Sequence, residues 1–269
     1  MRATAAQPSE APLLPPGLLV EVGPNERAGA WAALCALQPV ALAPGGIVCA
    51  PRAAPEAAAA ALAACPFPVR RLAEVPGWPD PPAAMVGGWY RRSPAHLAAP
   101  GGVRELVQVP GEGFGPGDHA TTAMCLGALE GLPGGPALDA GCGSGLLAQA
   151  WAALGRGPVT AIDVDPHALA QAEASLRAAG LAGAVEVRRA SIATLAGAQI
   201  SGRTVLANVP GDAHRALLSR VEGPPAALVL SGIRPPAAPA LAAAWAAHGL
   251  RPDGAWEQGG FCCLRLVGA

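Results

Sequence analysis

Apolar and polar positions follow two regimes along this chain. From Gly17 to about residue 75 the apolar runs are short. LLVEV begins at Leu18, PVALA and GIVC flank Gly45-Gly46, and FPV begins at Phe67, with the alanine-rich stretches NERAGAWAALCAL and PEAAAAALAAC between them. The runs read as strands and the alanine-rich stretches as helices, with Asn25 as a helix cap and Gly45-Gly46 as a hairpin turn. That order, βαββαβ, predicts a small ferredoxin-like α/β module over residues 17–75. Residues 1–16 are polar and proline-bearing and are expected to be disordered.

From about residue 107 a regular alternation sets in. Strand-like PALDAGC, VTAIDVD, AVEVRRA, TVLANVP, ALVLSGI and FCCLRLVG are interleaved with helix-like LLAQAWAALG, PHALAQAEASLRAAG, DAHRALLSRV and APALAAAWAAHG. Strands alternating with helices of this length predict a parallel, doubly wound α/β domain over 107–269. Asp165-Pro166 supplies an N-cap and a first-turn proline, and Gly155 and Gly180 stand where helices should end. Between the regimes, residues 76–106 are punctuated by proline and glycine and read as a linker, anchored by Trp78, Trp89 and Tyr90.

Composition removes several function classes. The chain has 269 residues with 18 basic and 19 acidic side chains, which leaves no electrostatic footprint for nucleic acid or an anionic membrane. Every one of the 18 basic residues is arginine. Without lysine there is no Walker-type phosphate loop, Schiff-base chemistry or lysine general base. Seven cysteines are scattered without a CxxC pair or a Cys/His spacing suited to zinc, so no metal site is expected and a reduced, cytoplasmic setting is. The N-terminus is wrong for a signal peptide, and no apolar run is long enough to span a bilayer.

Three stretches carry chemistry. Asp139-Ala-Gly141-Cys-Gly143-Ser-Gly145 closes one predicted strand and opens a helix, so its glycines let the backbone approach a ligand beside free helix N–H groups. A dinucleotide fingerprint would need a third glycine at position 146, which is Leu146. The acidic-x-GxGxG form is instead the one associated with S-adenosylmethionine. Asp163 ends the next strand, where a carboxylate can accept both hydroxyls of a ribose; Asp165 competes for that role, with helix capping as its better use. Asn208, one of only two asparagines, lies at the carboxyl end of a further strand and could orient an amine toward a sulfonium methyl.

The remaining stretch, Phe114-Gly115-Pro116-Gly117-Asp118-His119-Ala120-Thr121-Thr122, resembles the FGTGTHPTT signature of the bacterial ribosomal protein L11 methyltransferases, the PrmA family. It differs from that signature at Pro116, Asp118 and Ala120. The GCGSG loop, the LAN segment ending at Asn208 and the LSGI segment from Leu230 to Ile233 match the family in the same order, so the resemblance spans Gly111 to Ile233. It implies a substrate-recognition domain followed by a Rossmann-like class I methyltransferase domain. The cofactor would be S-adenosyl-L-methionine and the acceptor amino groups, lysine or N-terminal, of ribosomal protein L11. By position, Thr122, Asp139, Gly141, Gly143, Gly145 and Asp163 would bind the cofactor and Asn208 would face the reacting end. Phe114, Gly115, His119 and Thr121 would form a lid, with His119 either orienting that loop or joining the catalysis. A monomer acting in the cytoplasm, without direct contact to nucleic acid or membrane, is expected. The alternatives are another protein or small amine as acceptor, a nicotinamide oxidoreductase, and a binding-only domain.

Overall fold

The computed structural model describes residues 18–23, 25–27, 31, 34, 37, 39–43, 46–49, 60, 63–71, 83–94, 96–111, 117 and 119–268. The chain divides into two compact units, Met1–Trp78 and Pro79–Ala269. Residues 1–16 and most of the two helices expected over 25–37 and 55–65 lie outside the described residues.

In the N-terminal unit, β1 (Leu18–Val20), β2 (Pro39–Ala43), β3 (Gly46–Cys49) and β4 (Val69–Arg71) form one sheet in the order β2-β3-β1-β4. Every pairing in it is antiparallel, with Leu19 opposite both Val48 and Arg70. Gly46 is dictated by contact, because a Cβ there would overlap the carbonyl oxygen of Val20. Val20, Ile47, Trp31 and Leu34 are buried and contribute to this unit's core.

The second unit opens with β5 (Ala84–Val86), β6 (Trp89–Arg92) and β7 (Glu105–Val107), in the order β5-β6-β7. Much of the expected linker is therefore folded structure. Gly87 and Gly88, both at positive φ, make a tight hairpin turn rather than a flexible joint. His96 is buried. Its Nε2 accepts the Ala83 N–H at 3.3 Å and its Nδ1 lies 2.9 Å from Ser93 Oγ. Burial, then the Arg91 and Arg92 charges, push the imidazole down to about 4, which keeps it a neutral structural link.

The alternating region forms a seven-stranded sheet from β8 (Ala137–Ala140), β9 (Val159–Asp163), β10 (Val185–Arg189), β11 (Thr204–Asn208), β12 (Ala227–Ile233), β13 (Leu250–Gln258) and β14 (Phe261–Gly268). Its order is β10-β9-β8-β11-β12-β14-β13. The first five strands are parallel, as expected, and β14 and β13 close the sheet antiparallel. Successive residues enter opposite cores, as the period of two requires. Ala137, Leu206 and Val229 pack on one side with α1 (Ala120–Ala128) and α2 (Leu146–Ala153). Leu138, Val205 and Leu228 pack on the other with Leu217 of α4 (Gly211–Leu218) and Trp245 of α5 (Ala238–Ala246). Helix α3 (Pro166–Ala178) joins the first layer through Leu169 and Leu176. The strand order reverses between β8 and β11, so a crevice opens at the carboxyl ends of the central strands. Among the described residues no helix is long and apolar enough to cross a membrane.

Candidate functional site

The glycine turn between β8 and α2 is held at both ends. The Asp139 carboxylate is buried and its Oδ2 accepts the Ala148 N–H at 2.8 Å, one of the first-turn donors that a helix leaves unpaired. Burial, relieved in part by that bond and reinforced by the Asp163 charge, pushes Asp139 up to about 7. Gly141, Gly143 and Gly145 all take positive φ, at 77°, 52° and 82°, a region that side chains with a Cβ enter at a cost of about 1–2 kcal/mol. The amides of Gly141 and Cys142 both bond Ile162 O at 2.9 Å, which ties the turn to β9. A Cβ on Gly141 would overlap Val209 Cγ1, and one on Gly145 would stand 2.9 Å from Ala172 Cβ. Gly145 thus serves helix packing and Gly141 the close passage of Val209, while the backbone of Gly141 and Gly143 lines the cavity.

Asp163 ends β9 with both oxygens engaged. Oδ2 accepts the Gly143 N–H at 2.9 Å and Oδ1 the Asp165 N–H at 3.0 Å. Each oxygen keeps a second lone pair, and the residue lines a cavity of about 950 Å³. Asp165 caps α3, its Oδ1 accepting the His167 N–H at 2.9 Å. Next to Asp163, Val164 is 58% exposed and lines the same cavity with Ser191 and Ile192, an apolar wall that a flat ring would cover.

The cavity continues across the carboxyl ends of β11 and β12 to the start of β14. Asn208 stands midway, its Nδ2 donating to Thr122 Oγ1 at 3.4 Å. Thr122 itself is buried and lines an adjoining space of about 30 Å³ with Asp139 and Asn208, room for a water and no more. Its neighbour Thr121 is the α1 threonine on the large cavity. His119 caps α1, with Nδ1 accepting the Thr121 N–H at 3.3 Å and lying 2.8 Å from Thr121 Oγ1. Its ring meets Phe261 edge to face, centroids 5.0 Å apart, and the Arg234 guanidinium lies 4.0 Å over the Phe261 ring. Phe114 and Gly115 lie outside the described residues, as do Pro116 and Asp118.

Several of these positions escaped the sequence reading. Gly232 has φ 81° and its Cβ would overlap Val209 O, so the glycine of LSGI exists to let β12 pass the Asn208 turn. The Ser231 carbonyl accepts the Val209 N–H at 3.1 Å and pairs with His214 Nε2 at 2.8 Å. Burial lowers the affinity of His214 for a proton, so neutral Nε2–H is the donor. Two glutamines hold the chain leaving β7. Gln149 takes the Val107 N–H at 2.6 Å and returns a bond to Val107 O at 2.9 Å, and Gln171 donates to Val109 O at 2.9 Å. They replace a missing strand partner at the root of the glycine-rich segment. Among the described residues no group of three or more His, Cys, Asp or Glu side chains is placed to hold a metal ion.

The model of the family described as ribosomal protein L11 methyltransferase (PrmA) matches residues 104–268. The ribosomal protein L11 methyltransferase of Pelotomaculum thermopropionicum is 35% identical over 202 residues, which cover 72% of this chain and 59% of that protein. The enzyme of the same name from Methylococcus capsulatus is 38% identical over 161 residues, 59% of this chain and 54% of that protein. The matched part thus spans little more than half the length of these relatives. Among solved structures, the ribosomal protein L11 methylase of Lactobacillus delbrueckii subsp. bulgaricus superposes with a TM-score of 0.55 at 22% identity, covering 68% of this chain and 96% of that one. That likeness is one of fold.

Proposed function

Because the chain belongs to the ribosomal protein L11 methyltransferase (PrmA) family, we propose that it transfers methyl groups from S-adenosylmethionine to amine nitrogens of a protein, with ribosomal protein L11 as the acceptor. The observation that carries this reading is the single cavity along the strand ends, with Asp163 and the glycine turn at one end and Asn208 at its middle. The fit to the cofactor rests on three features. The Asp163 lone pairs suit two ribose hydroxyls, the exposed Val164 suits the face of an adenine, and the bare backbone of Gly141 and Gly143 on the cavity wall suits the amino-acid end. Against a dinucleotide, Leu146 fills the core where that fold keeps its third glycine.

When bound, the cofactor supplies an electrophilic methyl on a sulfonium. The chain's own residues bring a neutral amine into line with it. Asn208 Oδ1 would accept an amine hydrogen and aim the nitrogen lone pair, while Nδ2 stays tied to Thr122. An ordinary lysine amine, with a pKa near ~10.4, is mostly protonated at neutral pH, whereas an N-terminal amine near ~8 is close to ready. Desolvation between Pro210 and Phe261 would lower either, so no dedicated side-chain base is invoked. His119 holds the start of α1 through its Nδ1. By the family resemblance Phe114, Gly115, His119 and Thr121 would form a lid, and the N-terminal unit would be the acceptor-recognition module of a monomeric, cytoplasmic enzyme without direct contact to nucleic acid or membrane.

The test is mass spectrometry of purified ribosomal protein L11 after incubation with this chain and S-adenosylmethionine. Methyl additions on lysine or N-terminal nitrogens are expected. Their absence from a protein that measurably binds the cofactor would overturn the acceptor assignment.

A further inference from the structure

The acceptor end of the cavity has a charge of its own. We infer that Arg234 selects acceptors that carry an anionic group, a carboxylate, close to the amine to be methylated; the inference rests on the methyl-transfer reading of the cavity and names the class of acceptor it prefers. Arg234 follows directly on β12, whose last residue Ile233 pairs with Cys262 of β14. That register sets Arg234 beside Phe261, and the next two residues, Pro235 and Pro236, stiffen the backbone behind it. The guanidinium then rests 4.0 Å over the Phe261 ring and gives one Nη1 hydrogen to Gly260 O at 3.1 Å. An arginine held this way has already given up much of its rotamer freedom, so less is lost when it binds.

Its remaining donors have no protein acceptor among the described residues, and no carboxylate there lies within 4.0 Å of it. Among the described residues the cavity has two carboxylates. Asp163 stands at the far end and is occupied by the Gly143 and Asp165 amides. Asp212, in the first turn of α4, lines the acceptor half and forms no ion pair with Arg234. A guanidinium fixed on an aromatic face with a free bidentate edge is a carboxylate receptor. The same cation would repel a bare ammonium and favour its neutral form. An amine that brings its own carboxylate offsets that repulsion through a bidentate pair with the guanidinium. An aspartate or glutamate side chain near the target lysine meets this requirement, as does an acidic side chain close to an N-terminal amine.

The experiment is calorimetric titration of the full chain with two short acetylated and amidated peptides, each holding one lysine flanked by glutamate or, in the control, by glutamine. Titrations are run with and without S-adenosylhomocysteine. The wild-type protein should bind the glutamate peptide about ten-fold tighter than the glutamine peptide. Arg234→Gln should bring the ratio to about one without changing S-adenosylhomocysteine affinity, and Arg234→Lys should restore part of it. Equal binding of the two peptides by the wild type, binding of neither, or an unchanged ratio in Arg234→Gln would overturn the inference. Loss of S-adenosylhomocysteine binding with the peptide ratio intact would instead overturn the cofactor reading and leave the anion preference standing.

Discussion

The two ends of the cavity are built from different materials. At the glycine-turn end the polar groups are backbone amides and two carboxylates, within residues 139–148 and 163–165, each fixed by bonds to near neighbours. At the far end the wall is made of side chains from α1, β11, β12 and β14, brought together from positions 119 to 261 and held by ring contacts and a long amide–hydroxyl bond. The first end is rigid because its donors and acceptors are already paired. The second is adaptable because its contacts are few and its polar edges free. This division suits a reaction in which one partner is always the same molecule and the other varies.

If the division is real, substitutions at the two ends should separate cleanly. The largest effect is expected at the join. Asn208→Ala should lower turnover by about 100-fold, the cost of misplacing the reacting nitrogen, while cofactor affinity stays within a few-fold in a binding titration. Next, Asp163→Ala should weaken S-adenosylmethionine binding by about ten- to a hundred-fold, the loss of a charge-assisted hydrogen bond, and Asn208→Ala run in parallel shows whether the effect belongs to one end only. A comparable loss in both variants would break the comparison.

Smaller effects sharpen the account of the rigid end. Gly141→Ala should cost about 1–2 kcal/mol for positive φ alone and more for its overlap with Val209, as read by denaturant unfolding. Gly155→Ala, also at positive φ but with open space around it, isolates the first contribution. Asp139 gives a pH test. Its folded carboxyl holds a proton up to about 7, against 3.8 when unperturbed. The stability it contributes is complete below about 3.8 and lost as pH rises through 7, on the order of 1 kcal/mol of it between pH 6 and 8. Asp139→Asn keeps an acceptor for Ala148 and should flatten that decline; an unchanged slope would show that Asp139 is ionised throughout.

What could be read from the sequence follows the same division. Gly141, Gly143, Asp163 and Asp165 were legible because a turn encodes its geometry within a few residues. Asn208 stood out by its rarity at a strand end. The resemblance assigns Thr122 to the cofactor and Thr121 to the lid, whereas Thr121 lines the large cavity and Thr122 the small adjoining space; adjacent helical residues differ by about 100° in direction, and packing decides which meets which. Arg234 and Phe261 were invisible as a pair because the β12–β14 register joins them across 26 intervening residues of chain. Strand β13 escaped notice because LRPDGAWEQ buries only Leu250 fully and carries no alternation. The Gly87-Gly88 hairpin was read as linker because proline and glycine punctuate both.

The central claim is that one cavity binds S-adenosylmethionine at its glycine-turn end independently of the acceptor end. The most direct measurement is isothermal titration of S-adenosylmethionine into the wild type, Asp163→Ala and Asn208→Ala. The account predicts binding by the wild type, nearly unchanged binding by Asn208→Ala and binding about ten- to a hundred-fold weaker by Asp163→Ala. No binding by the folded wild type, or equal binding by wild type and Asp163→Ala, would contradict it.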